Sequence, residues 1–320
     1  MSSEFDLIAR FFSRPAPPGF LGVGDDCALL PLEPGMRLAT STDLLLEGRH
    51  FLPGTDPGNL GHKALAVNLS DLAAMGAKPL ACVLGLSVPK VDEPWLRAFS
   101  EGFHSLADEA GCPLVGGDTT RSPWGVVISV TVYGQVDPAR ALRRDAARVG
   151  DDIWISGTLG AADIALRLLQ GKLPLDPGRL AALRPALERP QPPLRLAQAL
   201  AGVAHAALDI SDGLAQDLGH ILEASHCGAE LDLAALPIDP GLDGLDSGLR
   251  RQAALDGGDV YQLCFTAPSD KRDIIARLAL AASTRVTRVG RIVEHAGLAV
   301  QSADGGLAPY HSAGFDHFSS

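Results

Sequence analysis

Apolar residues recur along the chain at two spacings, and each spacing predicts a different element. Runs of apolar and β-branched residues predict strands in the first half, at residues 27–30, 37–42, 81–88 and 126–136. Apolar positions three and four residues apart predict helices over 60–75 and 94–110. A glycine follows each helix, Gly76 and Gly111 respectively. Glycine suits the left-handed conformation in which many helices end.

The second half repeats this alternation of strand and helix patterns. Strands are predicted at 153–156, 206–210, 230–236 and 261–267. Helices are predicted at 161–169, up to 200, at 214–225 and at 270–282, with a proline-rich connector over 184–193. Both halves therefore predict an α/β fold of the α+β type.

A chain of 320 residues is long enough for two α/β domains of roughly 150 residues each. The sequence changes character over 139–149, in the stretch "ALRRDAARVG" and its neighbours. We therefore predict an N-terminal domain over 1–143 and a C-terminal domain over 144–320.

The N-terminal stretch "MSSEFDLIARFF" lacks the basic and continuous apolar regions of a secretory signal. It predicts an amphipathic helix capped by Ser2 or Ser3, whose apolar face carries Leu7, Ile8, Phe11 and Phe12. The longest uncharged apolar run, "LACVLGLSV", is about half the length that spans a bilayer. We expect a cytoplasmic protein with no membrane partner.

Charge and cysteine usage narrow the function classes further. The formal net charge is −11, and no long run of Lys or Arg is present, so a nucleic-acid partner would be repelled. The five cysteines are isolated along the chain with no CxxC pair, which argues against a disulfide framework or a thiolate zinc site.

Acidic residues occur repeatedly near the ends of the predicted strands and helices. They occur in "GDD", "STD", "NLSDL", "GGDTT" and "DISDG", and comprise Asp25, Asp26, Asp43, Asp71, Asp118, Asp209 and Asp212. A single Asp beside Gly or Ser is usually a turn former or helix cap. Their recurrence at the ends of strands, where open α/β sheets bind ligands, indicates instead a carboxylate site. Gathered carboxylates require cations, and oxygen ligands of this kind suit Mg²⁺.

Magnesium held by oxygen ligands commonly serves a phosphorylated substrate, yet the familiar phosphate loops are missing. The chain has no GxxxxGK[ST] and no complete GxGxxG. Two glycine-rich stretches, 115–122 and 156–163, are candidate phosphate cradles, although the second is equally a strand-to-helix turn. Arg144 is a candidate phosphate clamp or a solvated linker residue, and His50 a candidate ligand-binding residue or an ordinary loop histidine.

The ordered motifs "GVGDDCALL", "STDLLLEGRHF", "HKALAVNLSDLAAMGAKP", "GGDTTRS", "LDISDGLAQDLGHI" and "GFDHF" closely resemble the thiamine-monophosphate kinases. That family belongs to the ATP-binding superfamily of aminoimidazole ribonucleotide synthetase and selenophosphate synthetase. The resemblance implies ATP-dependent phosphorylation of thiamine monophosphate to thiamine diphosphate, with several Mg²⁺ ions. It also implies a homodimer in which the N-terminal sheets pair into a barrel-like interface, with clefts between the two domains.

The resemblance assigns residues to three roles. Metal ligands, most of them also catalytic, are Asp25, Ser41, Thr42, Asp43, Asp71, Asp118, Asp209 and Asp212. ATP contacts are Gly117, Asp118, Arg144 and Ser211, and contacts to thiamine monophosphate are His50, Asp259 and Phe315. Asp26 could equally be a turn acceptor.

The chain departs from the family pattern at two places. The usual "GEDYEL" is "GDVYQL" here, so that Asp259 stands where a longer Glu normally reaches the pyrimidine. A nucleotide-contacting tyrosine near the end of the second helix is replaced by "LADEAG". Two other functions remain open: phosphoryl transfer to an amide or selenide, and a noncatalytic nucleotide- or metal-binding assembly factor.

Overall fold

A computed structural model describes residues 4–23, 27–301 and 305–312. The chain divides into two compact units. The first comprises Met1–Leu72 and Ala77–Pro138, and the second comprises Ala73–Gly76 and Ala139–Ser320. Each unit contains its own sheet, so the chain has the two-domain α/β architecture that the alternating pattern predicts.

The first unit builds a mixed sheet with associated helices. Its elements in chain order are α1 (Glu4–Leu7), β1 (Arg37–Leu46), α2 (Pro57–Ala74), β2 (Lys78–Val88), α3 (Glu93–Ala110), β3 (Leu114–Arg121) and β4 (Val127–Val136). The strand order is β1-β4-β2-β3, with β2 and β3 parallel and the other pairs antiparallel. Because β1 lies at an edge, one side of its backbone requires partners from outside the sheet.

The α3 helix shows how the local sequence fixes an element. The Asp92 side chain accepts a hydrogen bond from the Trp95 amide at its N-terminus, and Pro94 occupies the first turn, where a missing amide costs nothing. Gly111 ends the helix at φ 63°, as predicted. The buried face carries Leu96, Phe99 and Phe103.

The second unit is larger and is built around one long mixed sheet. Its elements are β5 (Asp152–Ser156), α4 (Ala161–Leu169), α5 (Pro177–Glu188), α6 (Leu194–Leu200), β6 (Ala206–Asp209), α7 (Leu214–Ala224), β7 (Gly228–Asp232), α8 (Ser247–Asp256), β8 (Leu263–Ala267), α9 (Arg272–Ala281), β9 (Val286–Val293), β10 (Gly297–Gln301) and β11 (Leu307–Pro309). The strand order is β11-β10-β7-β9-β5-β8-β6.

The central strand β5 of this second sheet is buried on both faces. Along β5, Ile153 and Ile155 belong to one apolar cluster with residues of α7 such as Leu218, whereas Trp154 belongs to another with residues of α6 and α9 such as Leu200 and Ile275. Alternate side chains of a strand point to opposite faces. A strand covered on both sides therefore reads as a continuous apolar run, as the three central residues of "DIWIS" do.

Three predictions about elements differ from the structure. Residues 27–30 form no strand, and only an isolated bridge joins Leu21 to Leu29. The connector predicted over 184–193 begins inside α5, where packing of Leu183 and Leu187 against α4 overrides the unfavourable Pro185 within the helix. The glycine-rich stretch 115–122 lies mostly within strand β3 rather than in a turn.

The predicted capping residues Ser2 and Ser3 lie outside the described residues. Of the apolar face predicted beside them, Leu7, Phe11 and Phe12 are buried. All five cysteines are free thiols. Along the described chain, no helix combines the length and the apolar character that crossing a bilayer requires.

Candidate functional site

Polar side chains of β1 and α2 meet at the edge of the first sheet. The Ser41 hydroxyl donates a hydrogen bond of 2.6 Å to Asp71 Oδ2, and the backbone amide of Asp43 donates one of 3.0 Å to Asn68 Oδ1. Asn68 is fully buried, and its Nδ2 donates to the carbonyl of Ala64. Asn68 thus satisfies an amide of the edge strand while it ties that strand to α2.

Asp43 and Asp71 form a carboxylate pair. Burial and, to a lesser extent, the negative charge of Asp71 together raise the pKa of Asp43 to about 6. In the described part of the chain, the Asp43 carboxylate accepts no hydrogen bond. Nothing there offsets the free-energy cost of burying its negative charge. A half-buried anion beside a second anion is stabilised by a bound cation, and oxygen ligands from Asp and Ser fit Mg²⁺.

The shifted pKa of Asp43 predicts that this residue destabilises the metal-free protein. The folded state holds the proton with a pKa of about 6, whereas an unfolded chain releases it near a pKa of about 3.9. Stability is therefore lost as the pH rises from about 4 to about 6 and stays lost above that range. We expect Asp43→Asn to stabilise the protein by about 1–2 kcal/mol at pH 8 in EDTA, with little difference at pH 4.

Urea unfolding of both proteins at the two pH values measures this difference. Saturating Mg²⁺ is the control, because it should stabilise the wild-type protein and have little effect on Asp43→Asn. A variant less stable than the wild-type protein at pH 8 in EDTA would contradict the carboxylate pair.

Thr42 does not join this pair. Its hydroxyl lies 2.7 Å from that of Thr131, on the sheet face opposite Ser41 and Asp43, since successive side chains of a strand alternate. The structure therefore separates the side chain of Thr42 from the other predicted ligands of β1.

Gly117 and Asp118 lie within β3. The prediction that Asp118 lies at the end of a strand is therefore wrong. Gly117 has φ +150°, and a Cβ at this position would lie 1.9 Å from the carbonyl oxygen of Leu84, so only glycine fits. Asp118 is exposed and pairs with Gly85, which pairs in turn with Ser129. Ser129 pairs with Leu44 of β1. Cross-strand neighbours lie on the same face of a sheet, so the Asp118 side chain lies on the face of Leu44, which is opposite that of Asp43.

In the second unit, Asp209 ends β6 and is buried, as the pattern predicts. The segment 210–213 then connects β6 to α7 and carries Ser211 and Asp212, both half-buried. Asp217, in the first turn of α7, reaches back to this segment. Its Oδ2 accepts hydrogen bonds from the backbone amides of Ser211, Asp212 and Gly213, at 2.9, 3.0 and 3.1 Å.

Asp217 is 4% exposed, and this burial raises its pKa to about 7. The three amide groups act in the opposite direction, because they stabilise the ionised carboxylate.

The segment before β8 is joined to the same connection. The amide of Asp259 donates to the carbonyl of Ser211 at 2.8 Å, and the amide of Tyr261 donates to that of Ile210 at 2.7 Å. Asp259 and Tyr261 both have positive φ, 59° and 52°, an unusual conformation for residues with side chains. The Tyr261 hydroxyl donates to Asp259 Oδ1 at 3.0 Å.

The remaining predicted residues are dispersed or lie outside the described residues. His50 Nδ1 accepts a hydrogen bond of 3.0 Å from the Leu46 amide, so the ring closes the turn after β1. Arg144 is exposed, and its carbonyl accepts a hydrogen bond from Ser225. Asp25, Asp26 and Phe315 lie outside the described residues.

Among residues 4–23, 27–301 and 305–312, no three His, Cys, Asp or Glu side chains come close enough to hold a metal ion by themselves. A Mg²⁺ ion that keeps waters and substrate phosphates needs only one or two carboxylates. The pair of Asp43 and Asp71 meets that requirement.

Sequence reasoning missed Asn68, which anchors the edge strand beside the carboxylate pair of the first unit, and Asp217, which holds the 210–213 connection of the second unit. Asn68 precedes Asp71 by one helical turn, the spacing that puts two residues on one helix face. Asp217 follows Gly213 by four residues, and an acidic residue early in a helix commonly bonds amides before it. Both patterns are visible in the sequence, but neither alone indicates a site.

Models of known families match both parts of the chain. The N-terminal domain of AIR synthase related proteins matches residues 24–136, and the C-terminal domain matches residues 148–302. The thiamine-monophosphate kinase of Salmonella typhimurium is 42% identical over 320 residues, which cover 98% of each chain.

Solved structures agree with this match. The thiamine-monophosphate kinase of Stenotrophomonas maltophilia is 46% identical with a TM-score of 0.84, over 91% of this chain and 93% of that one. AaThiL complexed with AMPPCP and TMP is 30% identical with a TM-score of 0.79, over 90% of each chain. This chain belongs to the thiamine-monophosphate kinase family of AIR synthase related proteins.

Proposed function

We propose that this protein transfers the terminal phosphoryl group of ATP to thiamine monophosphate and so forms thiamine diphosphate. The observation that carries the proposal is the similarity, over 90% of each chain, to AaThiL complexed with AMPPCP and TMP. The identity of 42% to a thiamine-monophosphate kinase over nearly the whole length supports the same activity.

The acceptor chemistry agrees with the side chains present. A phosphate monoester is largely ionised at neutral pH, with a second pKa near about 6, so its oxygen requires no strong general base. The obstacle is repulsion between two polyanions, because like unit charges about 4 Å apart repel by roughly 4 kcal/mol at an effective dielectric of about 20. Positioning and charge compensation therefore supply most of the catalysis.

Asp43 and Asp71 are the residues we propose to hold Mg²⁺ in the first unit, with Ser41 orienting Asp71 through their 2.6 Å hydrogen bond. Asp25 is a further candidate there, and Asp209 and Asp212 are candidates in the second unit. Thr42 and Asp118 lie on the opposite face of the first sheet, so their side chains would not reach the same ion. A bound Mg²⁺ would neutralise phosphate charge and hold the phosphates in line. Asn68 fixes the edge strand that carries Asp43, so the pair is preorganised.

Contacts to the substrates are proposed for the residues that the family resemblance assigns to them. Gly117 would allow a close approach of its backbone to ATP, while Ser211 and Arg144 would contact phosphates. His50, Asp259 and Phe315 would contact thiamine monophosphate.

The test measures ADP release with each candidate acceptor. Purified protein is given MgATP with thiamine monophosphate, with an amide, with selenide, or with no acceptor. We expect ADP release that depends on thiamine monophosphate. Release with an amide or selenide alone would favour another phosphoryl-transfer reaction, and binding without release would favour an assembly factor.

Asp259→Glu tests the proposed substrate contact. The longer side chain should change the KM for thiamine monophosphate by about threefold or more and the KM for ATP by less than about twofold. Tyr261→Phe is the companion variant, since it removes the hydroxyl that bonds Asp259. Steady-state kinetics that change equally for both substrates would put Asp259 outside the substrate site.

A homodimer is proposed through the outer face of the first sheet. The positions of β1 that alternate with Ser41 and Asp43 include Leu38, Leu44 and Leu46, whose exposed fractions are 49%, 57% and 40%. Exposed apolar patches of this kind mark interaction sites, and the same patch on a second copy makes a self-complementary interface. Light scattering should give twice the chain mass of 33.4 kDa, and a mass of one chain would contradict the dimer.

A further inference from the structure

The connection between β6 and α7 is held by one carboxylate. Three successive amides, those of Ser211, Asp212 and Gly213, converge on Asp217 Oδ2. Gly213 has φ +121°, and a Cβ there would lie 2.8 Å from the backbone of Asp256. The path of the connection is therefore fixed at its end by glycine and along its length by Asp217.

The position of Asp217 excludes direct contact with a substrate. Its side chain is buried at 4% exposure, and its Oδ2 is occupied by the three amides. Ser211 and Asp212, in contrast, are half-buried and so keep surface that a ligand can reach. Because one carboxylate oxygen accepts three successive amides, Asp217 fixes the backbone that carries these two residues and so can determine how they are presented.

The connection between β6 and α7 is also hydrogen-bonded to the segment that precedes β8. The carbonyls of Ile210 and Ser211 accept the amides of Tyr261 and Asp259, at 2.7 and 2.8 Å. A Cβ on Gly258 would lie 2.5 Å from the Ser211 carbonyl oxygen, so the two backbones are in close contact. A displacement of Ser211 would therefore also displace Asp259.

We propose that Asp217 is a positioning residue for the phosphoryl-transfer reaction. It fixes the amides of residues 211–213, and through them it sets the presentation of Ser211 and Asp212 to the magnesium nucleotide and the position of Asp259. This inference rests on the proposed function, because it assigns Asp217 a role in that same reaction.

The test compares Asp217→Asn with Asp152→Asn at pH 8. Asp152 is a matched control, since its carboxylate is also buried in the second unit, at 3% exposure, and is bonded by Arg272 at 2.6 and 2.8 Å. Both variants should lose thermal stability. Only Asp217→Asn should lower kcat, by about tenfold or more, and raise the Mg²⁺ concentration for half-maximal activity several-fold.

Amide hydrogen exchange gives a readout that does not require activity. Residues 211–213 should exchange at least about tenfold faster in Asp217→Asn than in the wild-type protein, and at an unchanged rate in Asp152→Asn. If Asp217→Asn does not fold, Asp217→Glu, which keeps the charge but displaces the carboxylate, should show the same change in Mg²⁺ dependence.

The outcomes separate this inference from the proposed function. A wild-type protein without activity on thiamine monophosphate would overturn the proposed function. An active wild-type protein whose Asp217 variants keep its kcat and Mg²⁺ dependence would overturn the inference alone. Activity losses that merely follow thermal stability, equal in the Asp217 and Asp152 variants, would also overturn it.

Discussion

Asp71→Asn should lower kcat/KM by about 100-fold or more and leave the fold intact, because electrostatic stabilisation of the reacting phosphates is the main catalytic contribution. The amide oxygen of asparagine can still accept the hydrogen bond that Ser41 donates to Asp71. The variant loses one negative charge of the pair with Asp43, and with it most of the attraction for a divalent cation. Its residual activity should recover partly at high Mg²⁺ concentration.

A coupled assay over a Mg²⁺ titration, together with circular dichroism, measures both parts of this expectation. Asp108→Asn is the matched control, since Asp108 also lies on a helix of the first unit but forms an exposed ion pair with Arg14. Exposed pairs contribute little, so that variant should keep normal activity. Near-normal turnover of Asp71→Asn at moderate Mg²⁺ would count against the carboxylate pair.

Gly117→Ala should destabilise the protein by about 3 kcal/mol or more, because overpacking and a strained backbone act together. The added Cβ would lie 1.9 Å from the Leu84 carbonyl oxygen, and φ +150° disfavours any residue with a side chain. Relief of this clash requires β3 to move away from β2, which also moves Asp118. Activity should therefore fall together with stability.

The neighbouring glycine gives a close control for that variant. A Cβ on Gly116 would meet only Val83 Cγ1, at an ordinary distance of 3.5 Å, so Gly116→Ala should change stability by less than about 1 kcal/mol. Urea unfolding of the two variants measures the difference. Equal losses for both would show that the close approach at Gly117 is unimportant.

The spacing of apolar residues predicted helices that are mostly buried. The apolar spacing predicted α2 and α4 to within a few residues, and it also predicted Asp71 inside a helix. It missed β3, because Gly116 and Gly117 contribute no side chains to an alternating pattern. It also put Asp43 at the end of a strand, although Asp43 pairs with Val130 inside β1.

The sequence predicted which types of side chain form the carboxylate site better than it predicted which residues lie together in it. Acidic residues near Ser and Thr led to the prediction of oxygen ligands, and the structure brings Ser41 and Asp71 into contact beside Asp43. The sequence does not indicate that Asp118 lies on the sheet face opposite Asp43, because that depends on the register between strands. Nor does it indicate that Asp217 reaches back to three amides, since that contact depends on the path of the chain between β6 and α7.

The most direct test of metal-dependent phosphoryl transfer to thiamine monophosphate follows both phosphorylated products by ³¹P NMR. Wild-type protein is incubated with ATP, thiamine monophosphate and Mg²⁺, then with EDTA, and then with Mg²⁺ restored. We expect thiamine diphosphate and ADP in equal amounts, arrest of the reaction in EDTA and recovery when the metal is restored. Product formation at an undiminished rate in EDTA, or ADP without thiamine diphosphate, would contradict this expectation.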